Sequence, residues 1–125
     1  MTTYSMEGFT LRLVDGIIEL HTDGEQGPGT EDAHARAFSA IADKLHSRLV
    51  MYDIRSASFV LSDIERAERT RFVARIATGY RIAYVVRPDQ MEAAEEFVTA
   101  HRRLGDAAAC FTSKGEARDW LKADA

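Results

Sequence analysis

The sequence contains little cysteine and proline and no long apolar run. Cys110 is the single cysteine among 125 residues, so no internal disulfide forms and a reducing compartment is the simpler prediction. No stretch approaches the ~18 apolar residues that a membrane helix needs. The first residues lack the basic region and apolar run of a signal peptide. We therefore expect a cytoplasmic protein with no membrane span.

The chain also lacks an excess of positive charge and the common motifs of enzymes. Its formal net charge is −4, which argues against bulk binding to nucleic acid because such binding needs a basic field. There is no G-x-S-x-G turn, and the glycines of residues 22–29 fit neither a P-loop nor G-x-G-x-x-G. Glu31 and His34 have E-x-x-H spacing, but the second pair of a metal site is missing. We predict no enzyme activity, no metal and no cofactor.

The length fits one domain over residues 1–125, and the pattern of its N-terminal third begins with a hairpin. Phe9 to Val14 alternates apolar and polar residues, Asp15-Gly16 is a two-residue turn signal, and Ile17 to His21 resumes the apolar pattern. Thr22 to Gly29 is rich in glycine, which predicts a loop. A helix is expected from a cap at Thr30 to about Ser47, with Glu31 and Asp32 in its first turn.

The remaining sequence alternates short apolar runs with helix-start signals. The runs Leu49–Ile54, Arg81–Val86 and Ala107–Phe111 predict buried strands. Helix starts are indicated by the pairs Ser62 with Glu65, Asp89 with Glu92, and Ser113 with Glu116. This order predicts an α/β domain with four helices and a mixed, mostly parallel sheet of about five strands that includes an N-terminal β-hairpin.

Several phrases, in their order along nearly the whole chain, resemble the SpoIIAA-like or STAS domain superfamily. The phrases are LVMYDIRSASF at residues 49–59, RIAYVV at 81–86 and CFTSKGEARDWL at 110–121. The chain looks most similar to the bacterial STAS/SEC14-like subgroup. The resemblance implies a SpoIIAA-like fold and a regulatory or protein-interaction role, as in the STAS proteins that antagonise anti-sigma factors.

The resemblance also locates the phosphorylation motif of those antagonists, Asp-Ser-Ser-Gly, at the start of a helix. If Asp53 and Phe59 match the family's strand-end aspartate and loop aromatic, the motif falls on residues 61–64, and the phosphorylated serine is replaced by Asp63. The phosphoswitch therefore does not transfer, and Ser62 or Ser58 is the position to consider if phosphorylation occurs at all. In the other interpretation Ser62 is only a helix cap and Asp63 complements the helix dipole.

The predicted site lies beyond the carboxyl ends of the parallel strands, where ligands bind in open α/β sheets. Four loops are expected there, over residues 22–29, 53–62, 87–89 and 112–114. An anionic headgroup or a partner's acidic side chain is the predicted ligand, and solvated surface loops are the alternative. The candidate residues are Asp53, Arg55, Ser56, Ser58, Ser62, Asp63, Arg87 and Lys114.

Two functional hypotheses follow. The first is a non-enzymatic regulatory or protein-interaction domain that uses residues 53–69. The second, implied by kinship with SEC14-like domains, is a carrier or sensor of a small apolar or amphipathic ligand. Its cavity is expected between a helix and the sheet, near residues 22–29, and has to measure several hundred Å³. Homodimerisation is a further expectation, since the edge strands of so small a domain must be covered.

Overall fold

A six-stranded sheet organises residues 3–123, the part of the chain that the computed structural model describes apart from the side chains of Pro28 and Glu31. The strand order follows the sequence. The first three strands are antiparallel neighbours, and the third to the sixth are parallel. The strands are β1 Thr3–Met6, β2 Phe9–Val14, β3 Ile17–Gln26, β4 Leu49–Phe59, β5 Arg81–Val85 and β6 Ala108–Phe111.

The helices divide unequally between the two faces of the sheet. They are α1 Pro28–Ala42, α2 Asp63–Ile76, α3 Met91–Arg103 and α4 Lys114–Ala123. The larger core cluster joins one face of the sheet to α1 through Phe38 and to α3 through Phe97, with Val73 and Ile76 of α2 packed against it. On the opposite face Ala117 and Leu121 of α4 close a smaller cluster. The α/β class predicted from the sequence is confirmed, with six strands among the described residues instead of about five.

The predicted hairpin and two of the predicted helix starts are present. Asp15 and Gly16 both have positive φ, at 52° and 76°, as the tight turns of two-residue hairpins require. The side-chain oxygen of Ser62 accepts a hydrogen bond from the Glu65 N–H at 3.2 Å, and the Ser62 N–H donates to the Glu65 carboxylate at 2.9 Å. Ser113 accepts from the Glu116 N–H in the same way.

The loop predicted over Thr22–Gly29 is wrong. β3 continues to Gln26, and α1 begins at Pro28 with Gly27 as its N-cap, so Thr30 is not a cap. Residues 23–26 pair in parallel with residues 56–59 of β4, after a register shift between His21 and Asp23. Parallel pairing uses backbone groups, so these strands form although their composition resembles a loop. The Glu31 side chain, which was expected in the first turn, lies outside the described residues.

Other boundaries also differ from the prediction. β1 was not predicted, and β4 runs five residues beyond Ile54 to Phe59. α3 begins at Met91 after a short 3₁₀ turn, so the predicted start at Asp89 with Glu92 is wrong. Instead, the backbone N–H of Arg87 donates to the side chain of Gln90 at 2.9 Å.

None of the helices within residues 3–123 is both long enough and apolar enough to cross a membrane.

Candidate functional site

Asp53 is the buried acid of the predicted site, on β4 opposite Val85, the last residue of β5. Arg55 binds it with two side-chain bonds, Nε to Oδ1 at 3.0 Å and Nη2 to Oδ2 at 2.9 Å. His21 Nδ1 lies 3.6 Å from Oδ2. Burial by itself raises the pKa of Asp53, but the hydrogen bonds from Arg55 outweigh it, and the pKa is lowered. Asp53 is therefore an ionised, paired carboxylate and not a poised general acid.

Arg87 and Gln90 cover the outer edge of β4 where β5 has ended. Arg87 Nη1 donates to the carbonyl of Arg55, and Gln90 Nε2 donates to the carbonyls of Ile54 at 2.9 Å and Ala57 at 3.2 Å. These bonds satisfy backbone acceptors that a neighbouring strand satisfies elsewhere in the sheet. The segment after Asp53 is thus a strand whose backbone carbonyls accept hydrogen bonds from Arg87 and Gln90, although the sequence pattern predicted an open loop.

The link from β4 to α2 exposes apolar side chains, and we call Ser58–Ile64 the β4–α2 surface. Val60 is 56% exposed and Ile64 is 73% exposed. Between them Ser62 uses its hydroxyl as the helix cap, and the Asp63 carboxylate, 92% exposed, accepts a hydrogen bond from Arg66 at 3.1 Å. Ser56 and Ser58 are exposed on the extension of β4. Both hydrophobic side chains are therefore accessible to another molecule.

Lys114, the first residue of α4, lies on the α4 face of the sheet beside Glu19, whereas Asp63 begins α2, which packs on the opposite face. Its Nζ contacts the carboxylate of Glu19 at 3.3 Å, and Arg12 and Arg118 each contact the same carboxylate at 3.0 Å. Sequence reasoning missed Glu19. Its only signal was a charged residue inside the apolar run Ile17–Leu20, and its partners in α4 are 95 and 99 residues away in the sequence.

An apolar cavity of about 50 Å³ lies between α1, α2 and the sheet. Phe38, Val73 and Tyr52 contribute to its walls, together with His34, whose ring stacks on Phe9 at 4.7 Å. Its position agrees with the cavity expected of a carrier. Its volume is far below the roughly 300 Å³ at which small-molecule pockets begin.

Burial shifts the pKa values of two histidines and of the cysteine. His101 Nε2 and the Tyr84 hydroxyl are 2.7 Å apart in the interior, and burial lowers the pKa of His101 to about 4. Burial likewise lowers the pKa of His34. The Cys110 thiol has its pKa raised to about 12 by burial and by Glu95, so it stays protonated. Within the described part of the chain, no group of three or more His, Cys, Asp or Glu side chains could hold a metal ion.

Solved structures with the same architecture identify the fold as SpoIIAA-like. An uncharacterized DUF3478-family protein from Shewanella loihica PV-4, described as having a SpoIIAA-like fold, superposes with a TM-score of 0.59 at 14% identity, covering 90% of this chain and 91% of its own. The anti-sigma factor antagonist SpoIIAA in its unphosphorylated form gives a TM-score of 0.60 at 15% identity, covering 91% of this chain and 97% of its own. The resemblance that the sequence suggested is confirmed for the fold.

No protein-family model matches the sequence, and comparison with curated proteins finds no match.

Proposed function

We propose that this chain is a non-enzymatic regulatory domain that binds a partner protein through the β4–α2 surface. The observation that carries the proposal is the exposure of Val60 and Ile64 on either side of the capped start of α2. The other large hydrophobic residue that is exposed within residues 3–123 is Leu104, after α3. Two such side chains around one helix start give a partner an apolar anchor point, which is how binding energy is usually concentrated.

The fold supports a partner of regulatory type. SpoIIAA, whose unphosphorylated form shares the fold, is an anti-sigma factor antagonist. In the present chain the Ser62 hydroxyl is engaged as a helix cap, and Asp63 supplies a fixed negative charge next to it. We infer that the surface binds its partner without a phosphorylation switch and that the partner carries an apolar side chain for the space between Val60 and Ile64.

The carrier hypothesis has less support. A lipid-like molecule needs several hundred Å³, and the cavity beside His34 measures about 50 Å³. A carrier role therefore requires α1 or α2 to move away from the sheet when the ligand enters. Native mass spectrometry of freshly purified protein tests this alternative, because extra mass that disappears on denaturation is the expected sign of a carried ligand.

The interaction proposal is tested by placing a charge on the surface. Ile64→Asp and Val60→Asp introduce a charge at positions that are already exposed, so folding is expected to persist. Tagged wild-type protein and both variants are recovered from cells of the source organism, and the co-purifying proteins are quantified. Leu104→Asp is the matched control, since Leu104 is 49% exposed and lies outside the β4–α2 surface.

We expect recovery of a specific partner to fall about tenfold or more with the Ile64 and Val60 variants, because losing a hot-spot contact costs about 2 kcal/mol or more. The control should retain the partner. Equal recovery with all four proteins would contradict the proposal.

A further inference from the structure

A groove lies on the α4 face of the sheet, away from the β4–α2 surface. α4 packs on β4 to β6, and the neighbouring part of this face, on β2 and β3, is open. The groove encloses about 300 Å³ and is lined by Thr10, Arg12, Glu19, Leu20, His21, Met51 and Lys114. Cross-strand register explains the grouping, because Arg12 faces Glu19, and Thr10 faces His21.

The groove has an unbalanced charge. Glu19 is the buried acid, with a side chain only 6% exposed, and Arg12, Lys114 and Arg118 all contact it. Three positive charges against one negative charge leave a local excess of +2, in a protein whose formal net charge is −4. The bordering Asp53–Arg55 pair is neutral as a unit, so it does not cancel the excess.

Glu19 holds the three cations in place, and each cation has further N–H groups that do not contact Glu19. Arg12, Lys114 and Arg118 are 41%, 37% and 36% exposed, and each reaches Glu19 through a single nitrogen. A guanidinium carries five N–H donors and an ammonium three, so several remain for another acceptor. Burial raises the pKa of Glu19, but the bonds from Arg12, Lys114 and Arg118 lower it overall, so the carboxylate stays ionised and keeps its partners.

Neutralising one buried carboxylate does not require three cations. A single well-placed partner is the usual arrangement, and two further cations on a concave surface repel each other unless an anion lies between them. Lys114 is also the first residue of α4, so the positive end of that helix dipole adds to the field. Oxyanions with several acceptor oxygens match such a set of donors best.

We propose that this groove binds a small phosphate-bearing anion through Arg12 and Lys114, which line it. Arg118 adds a third positive charge through its contact with Glu19, the residue that positions the cations. The site is independent of the proposed partner surface, because α2 packs on the opposite face of the sheet.

The test is an NMR titration of ¹⁵N-labelled protein with inorganic pyrophosphate, against sodium chloride at the same ionic strength. We expect saturable shifts at residues 10–12, 19–21 and 114–118 that chloride does not reproduce. Arg12→Gln and Lys114→Gln should each weaken binding about tenfold, as expected for the loss of a charged hydrogen bond. Lys122→Gln is the matched control, because Lys122 is on the same helix but contacts Asp15 instead.

Glu19→Gln distinguishes an anion-binding site from a set of cations that only neutralise Glu19. The variant keeps the shape of the side chain and one oxygen that can accept from the cations, but it removes the negative charge that repels an anion, so an anion site should bind pyrophosphate several-fold more tightly. If Glu19→Gln fails to fold, the binding measured with Arg12→Gln and Lys114→Gln decides whether the groove binds the anion. Absence of saturable shifts, equal shifts with chloride, or equal weakening by Lys122→Gln would overturn the proposal.

Phosphate can belong to a soluble molecule or to a lipid headgroup. Co-sedimentation with vesicles of phosphatidylcholine containing phosphatidic acid distinguishes these sources. Binding to pyrophosphate without co-sedimentation indicates a soluble ligand. Co-sedimentation that Arg12→Gln abolishes and Lys122→Gln does not indicates a headgroup at the same site.

Discussion

Arg69 shows at the residue scale how this chain accommodates a charge in its interior. The residue is 7% exposed, and its guanidinium lies 4.5 Å from the ring centres of both Phe59 and Phe97. It thereby connects the end of β4 and α3 with its own helix, α2. The planar guanidinium can stack on both rings, whereas the compact ammonium of lysine cannot.

We predict that Arg69→Lys lowers the free energy of unfolding by about 1–2 kcal/mol, the loss expected for two desolvated cation–π contacts. Urea denaturation measures the change. Arg71→Lys, at an exposed position of the same helix, is the control and should change stability by less than about 0.5 kcal/mol. A similar small effect at both positions would show that the stacking contributes nothing.

His101 makes stability depend on pH. In the unfolded chain it takes up a proton near pH 6.5, whereas in the folded chain burial holds the pKa at about 4. Unfolding therefore binds a proton between these values, and the free energy of unfolding falls as the pH drops from 6.5 to 4. The predicted loss from this group is on the order of 3 kcal/mol.

The measurement is chemical denaturation of the wild type and of His101→Gln at pH 7, 5.5 and 4. The glutamine can still bond the Tyr84 hydroxyl, and it does not titrate. We expect the stability difference between the two proteins to shift in favour of the variant at low pH. Parallel pH profiles would show that His101 does not carry this dependence.

At the scale of elements, the start of α2 is fixed by reciprocal hydrogen bonds between Ser62 and Glu65. We predict that Ser62→Ala costs about 1 kcal/mol of stability, the usual cost of losing an N-cap. Thermal denaturation measures it, with Ser58→Ala, at an exposed position of β4, as the control. If Ser62→Ala left stability unchanged but impaired partner binding, Ser62 would be a contact residue and not a cap.

The β3–β4 extension shows why some elements could not be predicted from side-chain patterns. Residues 23–26 and 56–59 consist of polar, glycine and small residues along with Phe59, and neither segment reads as a strand by itself. They pair through the backbone, and Gln90, more than 30 residues away, covers carbonyls on the outer edge. By contrast, the hairpin turn, the capping box of α2 and the Ser113 cap of α4 were predictable because their causes lie within a few residues of sequence.

At the scale of the whole molecule, the sequence contained enough to predict the α/β class and the SpoIIAA-like fold, but only part of the site. Ser62 and Asp63 could be placed at a helix start because capping is local. The groove around Glu19 could not be foreseen, since its cations come from β2 and α4, 7 to 99 residues away from Glu19. The sequence pattern grouped all candidate residues at one edge of the sheet. In the structure, α2, which begins at Asp63, and α4, which begins at Lys114, pack on opposite faces.

The two surfaces that we propose for function lie on opposite sides of one sheet. The β4–α2 surface exposes apolar side chains next to the acid Asp63, and the groove beside α4 is cationic. A partner protein and a small anion can therefore bind without competing for the same residues. Homodimerisation stays a prediction, and β1 and β6, the edge strands of the sheet, are where it would be expected.

The measurement that tests the central claim most directly is site-specific photo-crosslinking inside cells of the source organism. A benzophenone amino acid replaces Ile64 in one protein and Leu104 in another, and mass spectrometry identifies what each one captures. We predict one reproducible protein partner at position 64, absent at position 104 and reduced by Val60→Asp. The same products from both positions, or none from position 64, would contradict the assignment of the β4–α2 surface as the functional interface.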